Sequence, residues 1–137
     1  MGPDDRPGRR AVLPTSSAGS TSDARYRALF ENPVIGIRIS SVAEEGRIVE
    51  ANSAYQKMLG YPAAELYLRT IFDLTHPEDL PRNRELYAEL LAGERDSYQI
   101  EKRFVRQDGS FFWGLLTVHV VQDESGRVTH HIGMVED

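Results

Sequence analysis

The 137 residues contain no cysteine. That absence removes structural disulfides, thiolate zinc sites, thiol nucleophiles and thioester-linked chromophores together. Long apolar runs are missing too, and none approaches the ~20 residues that a membrane-spanning helix needs. Positive charge is not in excess: 16 Lys and Arg stand against 21 Asp and Glu, a formal net charge of −5. Such a balance repels phosphate backbones, so nucleic-acid binding is disfavoured. There is no Gly-x-Ser-x-Gly elbow and no phosphate-cradling glycine loop, and the acidic residues show no spacing that sets an acid–base pair. No catalytic residue is assigned, and an enzyme is not expected. Targeting signals fail as well. Arg9-Arg10 is followed by Pro14 and a polar stretch in place of an apolar segment, and Gly2 lacks the Ser or Thr at position 6 that myristoylation wants. A cytoplasmic protein is the expectation.

What is present is a globular composition, 40% apolar and 27% charged, in a length that closes around one core. Residues 1–22 are rich in Gly, Pro, Ser, Thr and Arg, cannot offset the entropy of ordering, and read as a flexible tail. Residues 23–137 read as one domain. Asp23 can cap a helix carrying Tyr26, Leu29 and Phe30, which Pro33 ends. Period two then sets Ile35, Ile37 and Ile39 on one strand face and Arg38 on the other. Arg47 to Glu50 form a second short strand. Asn52 caps a helix with Tyr55, Met58 and Leu59 on one face, stopped at Gly60. Tyr61-Pro62 starts a further helical turn through Leu66. Pro77, Glu78 and Asp79 open a longer helix through Leu80, Tyr87, Leu90 and Leu91. Three strands follow, Ser97 to Arg106, Phe111 to Gln122 and Arg127 to Glu136, joined by Asp108-Gly109 and by Glu124-Ser125-Gly126. The order predicts an α+β fold with an antiparallel sheet covered on one face.

Several stretches in sequence resemble the PAS family. They are Asn52-Ser53-Ala54-Tyr55 to Leu59-Gly60-Tyr61, His76-Pro77-Glu78-Asp79, and Glu101-Lys102-Arg103-Phe104 to Asp108-Gly109-Ser110 and Trp113. The resemblance implies a five-stranded antiparallel sheet with short helices over one face and an N-terminal helix on or near the other. Phe112 to Val118 and Ile132 to Glu136 are most similar to the flavin-binding LOV branch. That branch, however, needs a cysteine and places flavin-contacting asparagine and glutamine where Gly114 and Val135 stand. Haem-binding PAS domains place a histidine near Arg84, which cannot ligate iron. Neither flavin nor haem is expected, and His76 reads as a polar residue at the start of a helix.

His119, His130 and His131 invite a metal, but neighbours on a strand point to opposite faces and no other ligand pattern assists them, so no metal is assigned. Lys102 shares a face with Tyr98, Ile100 and Phe104 that points toward the helices. A buried ammonium needs a partner, and Glu78 or Asp79 is expected to supply it; the sharper alternative is an anchor for an acidic ligand. Phe112, Gly114, Leu116, Val118 and Val120 alternate with Trp113, Leu115, Thr117 and Val121, so both faces of that strand are apolar and the outer one needs a cover.

The resemblance implies a signal-sensing module with a helix-covered pocket for a small apolar ligand, lined by Ile37, Ile39, Tyr55, Leu59, Phe104, Leu116 and Val135. Tyr26, Leu29, Phe30, Trp113, Leu115 and Val121 would form the interface of a homodimer. Two alternatives stand beside it: a ligand-free assembly module, and the sensory fragment of a histidine kinase or cyclic-dinucleotide cyclase. For the fragment, Asp137 falls where the family's junction with a downstream effector begins.

Overall fold

The computed structural model describes the backbone of Ala11–Val12 and of residues 20–137, and side chains from Ala24 onward except that of Tyr26. The elements are β1 (Ala11–Val12), α1 (Ser20–Phe30), β2 (Gly36–Ser41), β3 (Arg47–Ala51), α2 (Ser53–Leu59) and α3 (Ala63–Leu66). A 3₁₀ turn at Pro77–Asp79 leads into α4 (Leu80–Leu91), and β4 (Ser97–Val105), β5 (Phe111–Gln122) and β6 (Val128–Glu136) complete the chain. Helix α1 therefore begins three residues ahead of Asp23. The rest of the expected tail, 1–10 and 13–19, lies outside the described residues.

Five strands form an antiparallel sheet in the order β3-β2-β6-β5-β4, as expected for an α+β fold. Strand β1 pairs in parallel with β5 at Ala11↔Val121, just past Ser97↔His119 where β4 begins. Connections are set by side-chain chemistry. The Asn52 carboxamide accepts from the Tyr55 amide at the start of α2, and Gly60 closes that helix at φ 75°. In the β4–β5 turn the Asp108 carboxylate accepts from the Ser110 amide, and in the β5–β6 turn Asp123 does the same for Ser125. The stretch Thr70 to Thr75, too short to classify from sequence, is a run of turns pinned by single bridges to Arg47 and Phe104.

Helices α2, α3 and α4 cover one face of the sheet. Tyr55, Leu59, Leu66, Leu74, Leu86, Leu90, Phe104, Phe112, Leu116, Val118, Val120 and Val135 are buried in the core between them. Phe104 and Phe112, cross-strand partners, stack at 5.2 Å with 15° between ring planes. Strand β2 departs from the expected facing. Ile37 lies against Leu29 and Phe30 of α1 and against Ile132 and Met134, on the outer side of the sheet. Ile39, two residues on, shares that side, while Arg38 points inward and is 2% exposed. The outer face of β2 is itself apolar and covered, so alternation alone did not say which side was the core.

Candidate functional site

The inner end of the sheet is polar. Arg38, Ser40, Thr75, Asn83, Lys102 and His131 are buried there together with Tyr55, Tyr87 and Tyr98. Each arrives by a local rule. Arg38 is directly opposite Gly133 on β6, and a Cβ at Gly133 would lie 2.6 Å from the guanidinium carbon. Only a residue without a side chain lets that group lie against the strand. The Arg38 Nη1 donates to Ser40 Oγ at 3.0 Å. From β4, the Lys102 Nζ donates to Thr75 Oγ1 at 2.8 Å and to Asn83 Oδ1 at 2.9 Å, and sits 4.8 Å from the Phe104 ring centroid.

Lys102 thus finds neutral partners where a carboxylate was expected. Asp79 and Glu78 serve its neighbour Arg103. The Asp79 carboxylate accepts from the Arg103 amide at 2.8 Å and from its Nε and Nη2 at 3.0 Å, and Glu78 accepts from Nη2 at 3.4 Å. Consecutive strand residues face opposite ways, and the acidic turn runs along the β4 edge within reach of Arg103. The Arg103 guanidinium also lies 4.8 Å from the Trp113 ring on the outer face. Its hydrogen bonds hold the Asp79 carboxyl below its usual range.

Burial shifts the titration of several interior groups. It pulls the Lys102 ammonium well below its ordinary pKa, and the charge of Arg38 adds to that. Burial takes the His131 imidazole down to about 4, again with Arg38 contributing. The same burial lifts the Tyr55 phenol to about 12, against the opposing pull of Arg38, and raises Tyr87 and Tyr98. The His131 ring meets Tyr87 edge to face at 5.3 Å. Among the described residues, four buried side-chain atoms lack a hydrogen-bond partner, and all belong to this cluster: Asn83 Nδ2, Tyr87 OH, Tyr98 OH and His131 Nε2. Tyr87 also borders a cleft of about 480 Å³ lined by Val42, Glu45, Thr70, Phe72, Arg84 and Leu91. Arg84 stacks on Phe72 there, 4.2 Å from its ring centroid.

A model of the PAS fold family matches residues 24–137. The chain belongs to that family. It is 34% identical over 118 residues to the probable diguanylate cyclase DgcE of Escherichia coli (strain K12), covering 86% of this chain and 10% of that protein. It is 28% identical over 113 residues to the sensor histidine kinase TmoS of Ectopseudomonas mendocina, covering 82% of this chain and 11% of that one. The chain therefore spans about a tenth of the length of these relatives. A PAS domain from Colwellia psychrerythraea superposes with a TM-score of 0.76 at 17% identity, covering 86% of this chain and 97% of that one. An RNA-binding light-oxygen-voltage receptor superposes with a TM-score of 0.74 at 28% identity, covering 91% and 36%. The PAS module is a signal-sensing domain, of a kind carried by histidine kinases and diguanylate cyclases.

Of the residues expected to line a pocket, Tyr55, Leu59, Phe104, Leu116 and Val135 are together in the core, whereas Ile37 and Ile39 are on the outer side of the sheet. Of the expected interface, Leu29 is 72% and Trp113 55% exposed, and Phe30 and Leu115 are half-buried. Val121 is buried within the single chain, beside β1, and so is not on a free surface. The Tyr26 side chain lies outside the described residues. His76, read as a helix-start residue, accepts from the Glu78 amide through Nδ1. Sequence reasoning missed Arg38, Asn83, Tyr87, Tyr98 and His131 as one cluster. The available signal was a lone arginine in an apolar strand, which periodicity assigned to solvent.

Proposed function

We propose that the chain senses a small molecule on the helix-covered face of its sheet and relays occupancy to an effector, a histidine kinase or a diguanylate cyclase, of which it is the sensory part. One observation carries this reading: the buried polar cluster around Arg38, Lys102 and His131, with four unsatisfied atoms turned into the interior. A core built only for packing would have used apolar groups here, because unpaired buried polar atoms cost stability. The cluster favours a polar ligand over the apolar one expected from sequence. The domain itself performs no catalysis, acts in the cytoplasm, and pairs with a second copy through α1 and the outer face, where Leu29, Phe30, Trp113 and Leu115 present apolar surface.

Flavin and haem do not suit this interior. A Cβ at Gly114 would lie 2.9 Å from the Phe104 ring and 3.1 Å from Val135 Cγ1, so the ground beside it is filled. Arg84, near the place of the haem-ligating histidine, stacks on Phe72. An absorption spectrum of the purified protein is expected to show neither a flavin nor a Soret band. The sensory reading is tested by NMR spectra of labelled protein titrated with low-molecular-weight cell extract. Shifts clustered at Lys102, Tyr87 and His131 are expected, and shifts confined to the outer face, or none, would contradict it.

A further inference from the structure

The interior buries two basic side chains and no acidic one among the described residues. Arg38 and Lys102 are each 2% exposed. The partners shown for them are neutral oxygens of Ser40, Tyr55, Thr75 and Asn83. Asp79, one of the carboxylates expected beside Lys102, is engaged three times by Arg103. A buried charge without a countercharge costs stability, and removing such cations is often neutral or stabilising, so their presence calls for a use.

The unsatisfied atoms say what kind of use. Asn83 Nδ2 can only donate, the Tyr87 and Tyr98 hydroxyls can donate or accept, and His131 Nε2 does one or the other by tautomer, so an acceptor can satisfy all four. A ligand that satisfies them is rich in acceptors. Together with the Arg38 guanidinium and the Lys102 amine, such a site suits an anion, and the planar fork of a guanidinium matches the two oxygens of a carboxylate. Of the cluster, Tyr87 alone also lines the cleft of about 480 Å³, beside Arg84 and Glu45.

We infer that the sensed molecule is a small carboxylate, held between Arg38 and Lys102, an assignment that rests on the sensory reading above. The carboxylate supplies the missing countercharge and accepts from Asn83 and the two phenols.

The test is thermal melting and titration calorimetry near neutral pH with acetate, malonate and succinate, set against acetamide, malonamide, succinamide and inorganic phosphate. At least one carboxylate is expected to raise the melting temperature in a concentration-dependent way, and its matched amide is not. Lys102→Met is expected to weaken that carboxylate at least about tenfold, the loss of one charge-assisted hydrogen bond, while still melting cooperatively without ligand. Should Lys102→Met fail to fold, the wild-type His131 and Tyr87 resonances provide the readout and must shift on carboxylate addition. Equal stabilisation by the amides, or stabilisation by phosphate alone, overturns the carboxylate. An interior that responds to cell extract but to none of the carboxylates also overturns it and leaves the sensory reading standing. An interior silent to both removes the two together.

Discussion

Burial beside Arg38 keeps the His131 imidazole neutral, with its pKa near 4 against an ordinary 6.5. The unfolded chain therefore takes up this proton first as pH falls. The stabilising contribution is complete above pH 6.5 and is lost on the way down to about 4, amounting to about 2–3 kcal/mol for one group. Urea unfolding at pH 7 and pH 4.5 should show that loss in the wild type and a clearly smaller one in His131→Phe, which keeps a ring against Tyr87. Equal losses in both proteins would show that other groups carry the acid sensitivity. Gly133 permits a second prediction at this scale. A methyl group there meets the Arg38 guanidinium at 2.6 Å, so Gly133→Ala should cost about 1–3 kcal/mol through overpacking, measured as a lower denaturation midpoint. An unchanged midpoint would mean that Arg38 moves aside freely. Arg38 is also where reading from sequence failed. Period two placed it correctly opposite Ile37 and Ile39, but the rule that polar residues face water chose the wrong side, because both faces of β2 are covered.

Asn52 holds three elements together. Its Oδ1 accepts from the Ile37 amide of β2 and the Tyr55 amide of α2, both at 2.9 Å, and its Nδ2 donates to the carbonyls of Phe30 at 2.7 Å and Ile35 at 2.9 Å. Sequence reasoning gave it only the cap of α2. Replacement by Ala should cost about 2–4 kcal/mol, more than an ordinary cap, since buried amides and carbonyls are left unpaired. Loosening should be read in the exchange of α1 amides as well as in global stability; a loss of about 1 kcal/mol with α1 unaffected would reduce Asn52 to a simple cap. Elements with strong local chemistry were legible: Asn52 and Gly60 bound α2 within a residue, Phe111–Gln122 is β5 as expected, and both turns at Asp108 and Asp123 close on side-chain bonds. Partners across elements were not, because nothing in the order of residues says that Asp79 reaches Arg103 in preference to Lys102.

At the scale of the molecule, the sheet separates a helix-covered interior, an apolar core with a polar cluster at one end, from an outer face that still shows Leu29 and Trp113 to solvent. Pairing of two copies through that outer face should appear in analytical ultracentrifugation as a dimer at high micromolar concentration. Leu115→Glu should return the monomer while shifting its stability by only about 0.5 kcal/mol, as for a surface position; a wild type that stays monomeric would remove the interface. The PAS architecture was legible because several motifs stood in the right order along the chain, whereas the clustering of charge inside it depends on which faces of β2, β4 and β6 meet. Relay from that interior to an effector is tested most directly by joining the chain to the catalytic part of a diguanylate cyclase and measuring cyclic diguanylate production. Lys102→Met in the folded fusion should change the output several-fold relative to wild type, while the outward-facing Gln99→Ala should not. Equal output from wild type and Lys102→Met, both folded, would contradict a sensory role for the buried cluster.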